Sequence, residues 1–544
     1  MAALIALLTV DAAPQTISGV VLGADGPVAG GIVRVRGGGF FAVTDDAGRF
    51  TLAVAGSASV PLTAWGPGHF VGTAEELVSP GAADVTIHLH THPTEDNPAY
   101  AFISPVLDLD DPNACAHCHR DRTGASAPSM PAAAMLPVDE WLLDAHSQSA
   151  VNPRFLSLYN GTTLAGTVGQ PTVYRFDAAA GIDVPVVPSL GQDDAGAGFR
   201  LDFPDEGGHC ATCHAPILAL DQPYDADPNH AAGVAAEGVT CDFCHKVWDV
   251  ALLENGLPDP NRPGVLSLSF LRPPEGEQVF VGPFDDTPGD DIFNPMQAES
   301  EFCAACHFGE FWGVTMYNSF GEWLASPYSD PVSGQTCQDC HMPHVGATTF
   351  VQLPPDHAEV IPPRDPETIY SHLMPGALDT DLLASTATVE VQAARAADGL
   401  RVTVSVTNTG AGHHIPTDNP LRNMILLVQA ADANGNPLAL VDGPVIPAWG
   451  GEGDPGAGYY AGQPGVLYAK VLADFYTGET PTFAYWRQTV IVSDNRIPAL
   501  ATDTSTYAFT LPDEAGAVTV AASLWLRRAF IELMAIKGWD VPDM

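Results

Sequence analysis

The sequence Cys115-Ala-His-Cys118-His119 is the first of five with the pattern C-x-x-C-H. The other four are Cys210-Ala-Thr-Cys213-His214, Cys241-Asp-Phe-Cys244-His245, Cys303-Ala-Ala-Cys306-His307 and Cys337-Gln-Asp-Cys340-His341. In this pattern the two thiols add to the vinyl groups of a haem, and the histidine that follows binds its iron. We therefore predict that the cysteines hold haem c and that five histidines are iron ligands: His119, His214, His245, His307 and His341.

Two other uses of paired cysteines fit this pattern less well. Zinc ribbons combine C-x-x-C pairs two by two, and five pairs cannot all be used in that way. Disulfides do not require a histidine after every second cysteine. The five motifs use all 10 cysteines of the chain. We therefore predict five covalently bound haem c groups.

The chain is strongly acidic, with 65 Asp and Glu against 21 Lys and Arg and a formal net charge of −44. Nucleic acid is excluded as a natural partner, because phosphate binding requires a basic face. An anionic membrane surface is disfavoured for the same reason. We expect the partners to be redox proteins or an extracellular electron acceptor.

The N-terminal residues are typical of an exported protein. Residues 1–13 combine a short apolar run with Asp11-Ala12-Ala13, and we interpret them as the apolar region and cleavage site of a secretory signal peptide, truncated at its basic end. The alternative is an apolar strand of the mature protein. No later run approaches the roughly 20 apolar residues of a membrane-spanning helix. We expect a secreted protein, periplasmic or extracellular, without membrane insertion.

Composition divides the remaining chain into three domains. Residues 14–95 and 386–544 contain short alternating strands separated by Gly, Asp and Pro turns, which predicts two β-sandwiches. Residues 96–385 are rich in loops, and the haem rings would supply the apolar core that this segment lacks. The predicted fold is therefore multidomain, with a loop-rich, sparsely helical multihaem core between an N-terminal and a C-terminal β-sandwich. Helices are predicted at residues 139–149 and 302–326.

A second iron ligand is available for every haem, since 18 histidines less the five in the motifs leave 13. The best candidates are His146, His230, His372 and His413. The fifth position is open among His357, which we place first, and His344, His117 and His414. Met342 and Met374 are alternatives that would raise the potential of a haem.

An internal repetition involves two of these segments. Glu140-Trp141-Leu142 is followed by His146, and Glu322-Trp323-Leu324 is followed by Tyr328 at the matching position. On a continuous helix the tryptophan and the later residue lie more than one turn apart and could flank one flat ring. This repetition favours His146 as a distal iron ligand. Tyr328 is either its degenerate counterpart, which we place first, a hydrogen-bonding residue near a haem, or a phenolate ligand.

Several stretches resemble the multihaem cytochromes c related to cytochrome c554 and the hydroxylamine oxidoreductases. They are Glu322 to Ser326 with Thr336 to Pro343, Glu237 to His245, and Gly412 to Thr417. The resemblance implies closely stacked haems and electron transfer, and it favours His413 over His414 as a ligand. Hydroxylamine oxidoreductases carry more haems, including a catalytic one linked to a tyrosine, and this chain has only five motifs.

The N-terminal segment resembles the carboxypeptidase regulatory-like, or transthyretin-like, β-sandwich. The pattern of strand, Asp-x-x-Gly-x-Phe turn and strand occurs at Asp45 to Phe50. The resemblance implies a spacer or contact surface without chemistry of its own.

The sequence predicts a conductor of electrons rather than an enzyme, and we assign no catalytic residue. If every iron has two protein ligands, no coordination position is free for a substrate. A narrower hypothesis is self-polymerisation into an extracellular cytochrome filament, a nanowire, with the β-sandwiches as contact surfaces. The alternative is a periplasmic multihaem oxidoreductase that reduces or oxidises a small nitrogen or sulfur compound at one open haem.

Overall fold

The structure, a computed structural model, describes residues 15–106, 114–123, 129–191, 195–353, 361–397, 399–511 and 516–539. The predicted signal peptide and the candidate ligand His357 lie outside the described residues. Within them, no helix is long and apolar enough to cross a membrane.

The N-terminal part consists of two four-stranded sheets. The strands are β1 (Gln15–Gly23), β2 (Gly26–Pro27), β3 (Ile32–Val35), β4 (Phe41–Val43), β5 (Arg49–Val54), β6 (Leu62–Trp65), β7 (Gly72–Thr73) and β8 (Val85–His88). In one sheet β1 pairs with β2, β5 and, in parallel, β8; the other has the order β4-β3-β6-β7. Buried side chains from both sheets, such as Ile17, Leu52 and Leu62, form one core, because alternate residues of each strand face inward.

The middle of the chain is built from short elements. Its helices are α1 (Ala116–His119), α2 (Pro137–Trp141), α3 (Pro153–Asn160), α4 (Phe199–Asp202), α5 (Ala211–His214), α6 (Pro216–Ala219), α7 (Cys241–Cys244), α8 (Glu301–Ala304), α9 (Ser319–Leu324) and α10 (Cys337–His341). Its strands are β9 (Tyr174–Asp177), β10 (Ile182–Pro185), β11 (Val247–Val250), β12 (Leu268–Phe270), β13 (Phe280–Gly282), β14 (Asp291–Phe293), β15 (Gly309–Phe311) and β16 (Val314–Tyr317). Helices this short are not stable by propensity alone, so tertiary contacts must hold them.

The predicted helix at residues 302–326 is wrong in its centre. β15 and β16 form an antiparallel hairpin there. Trp312 and Gly313 both have positive φ, 55° and 75°, as the two-residue turns that connect strands of a hairpin require. The predicted helix at 139–149 is likewise interrupted, since α2 ends at Trp141 and His146 begins a separate 3-10 turn. Trp141 and His146 are therefore not on one helix.

The C-terminal part has two further four-stranded sheets. After α11 (Thr380–Thr386) come β17 (Ala387–Ala396), β18 (Gly399–Asn408), β19 (Asn423–Ala431), β20 (Leu440–Asp442), β21 (Gly465–Asp474), β22 (Thr489–Asp494), β23 (Thr502–Phe509), β24 (Thr519–Arg527) and α12 (Ile531–Lys537). The strand orders are β17-β18-β23-β20 and β22-β21-β19-β24. Val402 and Val404 of one sheet pack against Leu426 and Val428 of the other.

The opposite face of the β19–β21 sheet packs on the middle of the chain. Ile425 and Leu467 share a buried cluster there with Leu158, Phe199 and Met316. Because β19 is covered on both faces, its sequence is a continuous apolar run rather than an alternating one. The C-terminal sheets therefore pack directly against the segment that carries the C-x-x-C-H motifs.

All three lysines of the chain are buried. Lys246, Lys470 and Lys537 are 0%, 4% and 0% exposed. Lys246 pairs with Asp242 at 2.5 Å, and Lys470 donates to the carbonyl of Thr315 at 2.9 Å. Each is a buried hydrogen-bond donor rather than a surface charge.

Candidate haem-binding site

Each C-x-x-C-H motif forms a single helical turn. The backbone N–H of the motif histidine donates to the carbonyl of the first cysteine in four of the motifs, at 2.9 Å for His119, 3.1 Å for His214, 2.9 Å for His245 and 3.1 Å for His307. The fifth motif forms α10. Residues three and four positions apart lie on one face of such a turn. The two thiols and the imidazole of each motif are thereby presented to the same side.

Threonine caps begin two of these turns. The Thr240 side chain accepts from the N–H of Phe243 in α7. Thr336 makes a capping box with Asp339 at the start of α10. Each cap satisfies backbone donors that a four- or five-residue helix leaves unpaired.

Four motif histidines have an Nδ1 engaged by a backbone carbonyl. Nδ1 lies 2.8 Å from the oxygen of Phe350 for His119, of Val281 for His245 and of Pro375 for His341, and 3.4 Å from that of Ser149 for His214. A carbonyl can only accept, so the ring proton is on Nδ1 and the Nε2 lone pair is available to a metal. Burial lowers the pKa of His214 and His245 to about 4. These rings are therefore neutral, which is the state that binds iron.

Three motif histidines face a second imidazole at one spacing. The ring centres are 6.3 Å apart for His307 and His146, for His245 and His372, and for His341 and His413. Two imidazoles that bind one metal ion from opposite sides, each through a nitrogen at about 2 Å, have ring centres roughly 6 Å apart. The residues present therefore fit three haem irons with two axial histidines each.

Neighbouring groups orient the second histidine of these pairs. Nδ1 of His146 lies 2.8 Å from Oδ2 of Asp144, and Nδ1 of His413 lies 2.9 Å from the carbonyl oxygen of His414. Burial lowers the pKa of His372 to about 3. Asp144 is not among the residues predicted from the sequence. A carboxylate two residues before a candidate histidine ligand could have predicted this contact, because such ligands often donate to a carboxylate.

The other two motif histidines have no opposed imidazole among the described residues. The ring of His214 stacks on Phe155, with centres 3.8 Å apart and planes 3° apart. His119 lies beside Phe350, with ring centres 6.0 Å apart. The structure therefore leaves a second ligand for these two sites unassigned.

The remaining candidate ligands lie at other places. His230 is exposed at a 3-10 turn. Nδ1 of His117 lies 3.2 Å from a guanidinium nitrogen of Arg122. Nδ1 of His344 lies 3.0 Å from the carbonyl oxygen of Ile369. None of these three faces a motif histidine ring within the described part of the chain.

Cysteines of different motifs lie in contact. Cys241 lies close to Cys115, Cys306 to Cys213 and Cys303 to Cys337, and in each pair the interaction raises the pKa of the first thiol and lowers that of the second. Cys244 interacts electrostatically with Cys303 and Cys306. Counted along the chain, motif 1 therefore neighbours motif 3, motif 3 neighbours motif 4, and motif 4 neighbours both motif 2 and motif 5.

A polar cluster lies next to motif 2. The rings of Tyr317 and Tyr485 meet edge to face with centres 5.7 Å apart. Tyr485 also interacts with Asn419, and both tyrosines are close to Cys210 and Asp418. Burial raises the pKa of both tyrosines well above the ordinary value. Neutral hydroxyls that can donate a proton thus lie beside motif 2, whose histidine faces no second imidazole among the described residues.

No family model and no curated protein matches the chain. Among solved structures it is similar to a penta-heme cytochrome c552 from Thermochromatium tepidum, with 20% identity, a TM-score of 0.46 and coverage of 73% of this chain and 90% of that chain. It is also similar to a type II cohesin–X-dockerin complex from Acetivibrio cellulolyticus, with 16% identity, a TM-score of 0.13 and coverage of 14% of this chain and 58% of that one. At these levels of similarity the histidine geometry, rather than either neighbour, indicates the function.

Proposed function

We propose that the chain is a multihaem c-type cytochrome with five covalently bound haem c groups that conducts electrons outside the cytoplasm. The observation that carries this proposal is the common 6.3 Å spacing of three histidine pairs. In each pair one member follows a C-x-x-C sequence and the other comes from a distant segment. Chance packing of unrelated histidines would not favour one distance that suits an axially bound metal ion.

The arrangement of the motifs supports conduction. When bound, the haems supply one-electron redox chemistry. The chain brings their attachment points together, since cysteines of neighbouring motifs lie close enough to shift one another's pKa. Two axial histidines at a site leave no coordination position for a substrate. The path would run from motif 1 through motif 3 to motif 4 and divide there toward motifs 2 and 5.

Two measurements on the mature protein test this function. Intact mass spectrometry is expected to find five haem additions to the polypeptide. Electron paramagnetic resonance of the oxidised protein is expected to show low-spin ferric signals for at least the three sites with paired histidines. A mature chain without added porphyrins would refute the proposal.

A second candidate function is supported by the site of His214. Its ring faces no second imidazole among the described residues, and Tyr317, Tyr485 and Asp418 lie close to the thiols of the same motif. An iron held there by one histidine would have an open face next to proton donors, as an oxidoreductase for a small nitrogen or sulfur compound requires. Uptake of cyanide or nitrite by one iron per chain supports this function, and the absence of uptake favours pure conduction.

We also propose self-association into an extracellular filament, with the N-terminal sheets as a carboxypeptidase regulatory-like contact domain. Two outer strands support it. β4 carries Phe41 and Val43, 55% and 58% exposed, and β22 carries Ile491 and Val492, 48% and 53% exposed. Unpaired apolar edges are surfaces on which a second chain can add a strand. Electron microscopy at several concentrations of salt and divalent cations tests this, and monodisperse particles in all of them would contradict it.

A further inference from the structure

The repeated Glu-Trp-Leu sequences occupy equivalent positions around two different motifs. Nε1 of Trp141 donates to the carbonyl of Val239 at 2.8 Å, and Nε1 of Trp323 donates to the carbonyl of Gln335 at 2.8 Å. Each acceptor lies two residues before the first cysteine of a motif, the third motif and the fifth. Each intervening residue is the threonine that caps the motif helix. The two segments therefore belong to one structural unit that occurs twice.

The first unit uses its glutamate to hold the loop of a paired histidine. Oε1 of Glu140 accepts from the hydroxyl of Ser371 at 2.8 Å, and Oε2 accepts from the backbone N–H of His372 at 2.7 Å. Glu140 is only 3% exposed. His372 is the residue that faces His245, the histidine of the motif in the same unit.

The second unit repeats this contact. Oε2 of Glu322 accepts from the backbone N–H of His414 at 3.1 Å and from the hydroxyl of Thr417 at 2.5 Å. Glu322 is 5% exposed. The adjacent residue, His413, faces His341, again the histidine of the motif in the same unit. In both units a buried carboxylate thus binds a backbone N–H at or next to the second histidine and a hydroxyl in the same loop.

We propose that Glu140 and Glu322 are positioning residues that hold His372 and His413 at the distance an axial iron ligand requires. The proposal rests on the proposed function, since it assumes haem at motifs 3 and 5. Neither histidine is in a helix or strand, so local secondary structure does not fix it. A buried carboxylate that accepts backbone N–H groups makes short, charge-assisted bonds, which are about twice as strong as neutral ones.

The two glutamates differ in their cation partner. Nη1 of Arg496 lies 2.7 Å from Oε1 of Glu322, whereas Glu140 makes no ion pair within the described residues and burial raises its pKa. What the two glutamates share is therefore the set of hydrogen bonds to the histidine loop, and not a salt bridge. If both variants change the haem in the same way, the effect comes from those hydrogen bonds.

The test uses the full-length, haem-loaded protein with Glu140→Ala or Glu322→Ala. Each variant is expected to lose one haem's share of the low-spin ferric resonance and, when reduced, to bind one more carbon monoxide per chain than the unaltered protein. Added imidazole is expected to restore the low-spin signal. A merely structural glutamate would change neither the spin state nor the carbon monoxide stoichiometry.

Glu479 provides a matched control. It also clamps a loop, accepting from the N–H and hydroxyl of Ser189 at 2.9 and 2.6 Å and from the N–H of Leu190 at 2.8 Å, but that loop contains no histidine. Glu479→Ala is expected to lower the melting temperature without changing spin state. Unchanged spin state and carbon monoxide binding in both the Glu140 and Glu322 variants would overturn the proposal.

Milder variants decide the question if the alanine variants do not accumulate. Ser371→Ala and Thr417→Val each remove one hydrogen bond to the carboxylate, and each is expected to shift the low-spin resonance and the midpoint potential of one haem. The absence of a shift in both would overturn the inference. Mass spectrometry separates the two failures: missing haems refute the proposed function, whereas five haems with unchanged signals refute only the positioning role.

Discussion

The rings of His341 and His413 are nearly parallel, with planes 16° apart and centres 6.3 Å apart, although 72 positions separate them in the sequence. One ring is fixed by the Pro375 carbonyl and the other by the carbonyl of His414. Both rings thus have their Nε2 atoms available to one metal ion between them.

His413→Ala is expected to convert one haem from low-spin to high-spin and to raise its midpoint potential, because the variant removes a strong axial ligand. Electron paramagnetic resonance and a spectroelectrochemical titration measure both effects. His414→Ala is the matched control, since His414 is the next residue of the same loop but its side chain lies beside Glu322, with Nδ1 3.6 Å from Oε1. Equal spectra for the two variants would contradict the assignment of His413.

Arg487→Met is expected to lower the free energy of unfolding by about 3–5 kcal/mol, because it leaves a buried carboxylate without its cation. Nε and Nη2 of Arg487 bind the two oxygens of Asp202 at 2.9 and 2.6 Å, and this pair joins the C-terminal sheets to α4. Arg200→Met, which breaks a more exposed pair with Asp227, is expected to cost about 0–1 kcal/mol. Denaturant unfolding of both variants measures the difference.

Lys537→Met is expected to destabilise the protein by about 2–4 kcal/mol, since buried carbonyls left without a donor carry a desolvation cost. Nζ donates to the carbonyls of Ala197, Ser157 and Thr162 at 2.6, 3.1 and 3.2 Å. The melting temperature measures the effect. Val332→Ala, at a residue 93% exposed, serves as the control and should change stability by less than about 0.5 kcal/mol.

Asp291 predicts a pH dependence of stability. Burial, and then the charge of Asp290, raise its pKa from 3.8 to about 7. The folded state therefore holds this proton more tightly than the unfolded state, and the contribution to stability is complete below about pH 4 and lost as the pH rises through about 7.

Asp291→Asn is expected to flatten this part of the profile, as measured by denaturant unfolding between pH 4 and pH 8. Asp25→Asn removes the same formal charge from an exposed turn and should leave the slope unchanged. If the unaltered protein and the Asp291 variant have the same pH profile, the carboxyl of Asp291 does not titrate as proposed.

The sequence located much of the candidate site because its chemistry is carried by side chains at fixed spacing. The five motifs each require a single helical turn, and His146, His372 and His413 lie opposite motif histidines. The acceptors for Nδ1 could not be predicted, because a backbone carbonyl such as that of Val281 has no sequence signature. The ring stacked on His214 comes from Phe155, and only the tertiary fold brings the two together.

β21 matches no predicted strand. Lys470 lies near its middle and interrupts the apolar run, so the sequence neither alternates nor stays apolar although the strand is buried almost throughout. The hairpin of β15 and β16 lies inside the predicted helix, because its turn begins with Trp312 and lacks the small residue that usually marks such a turn in a sequence. In contrast, the alternating or apolar stretches at residues 389–393, 400–406, 424–430 and 518–524 each predict a strand, and they overlap β17, β18, β19 and β24.

Because every lysine is buried, the folded chain exposes no lysine side-chain amine to solvent. Reagents that acylate primary amines would find no side-chain target until Lys246, Lys470 or Lys537 is uncovered. A lysine-specific protease would not cleave the folded protein for the same reason. Cutting at those three positions would therefore report how often, and in which region, the molecule opens.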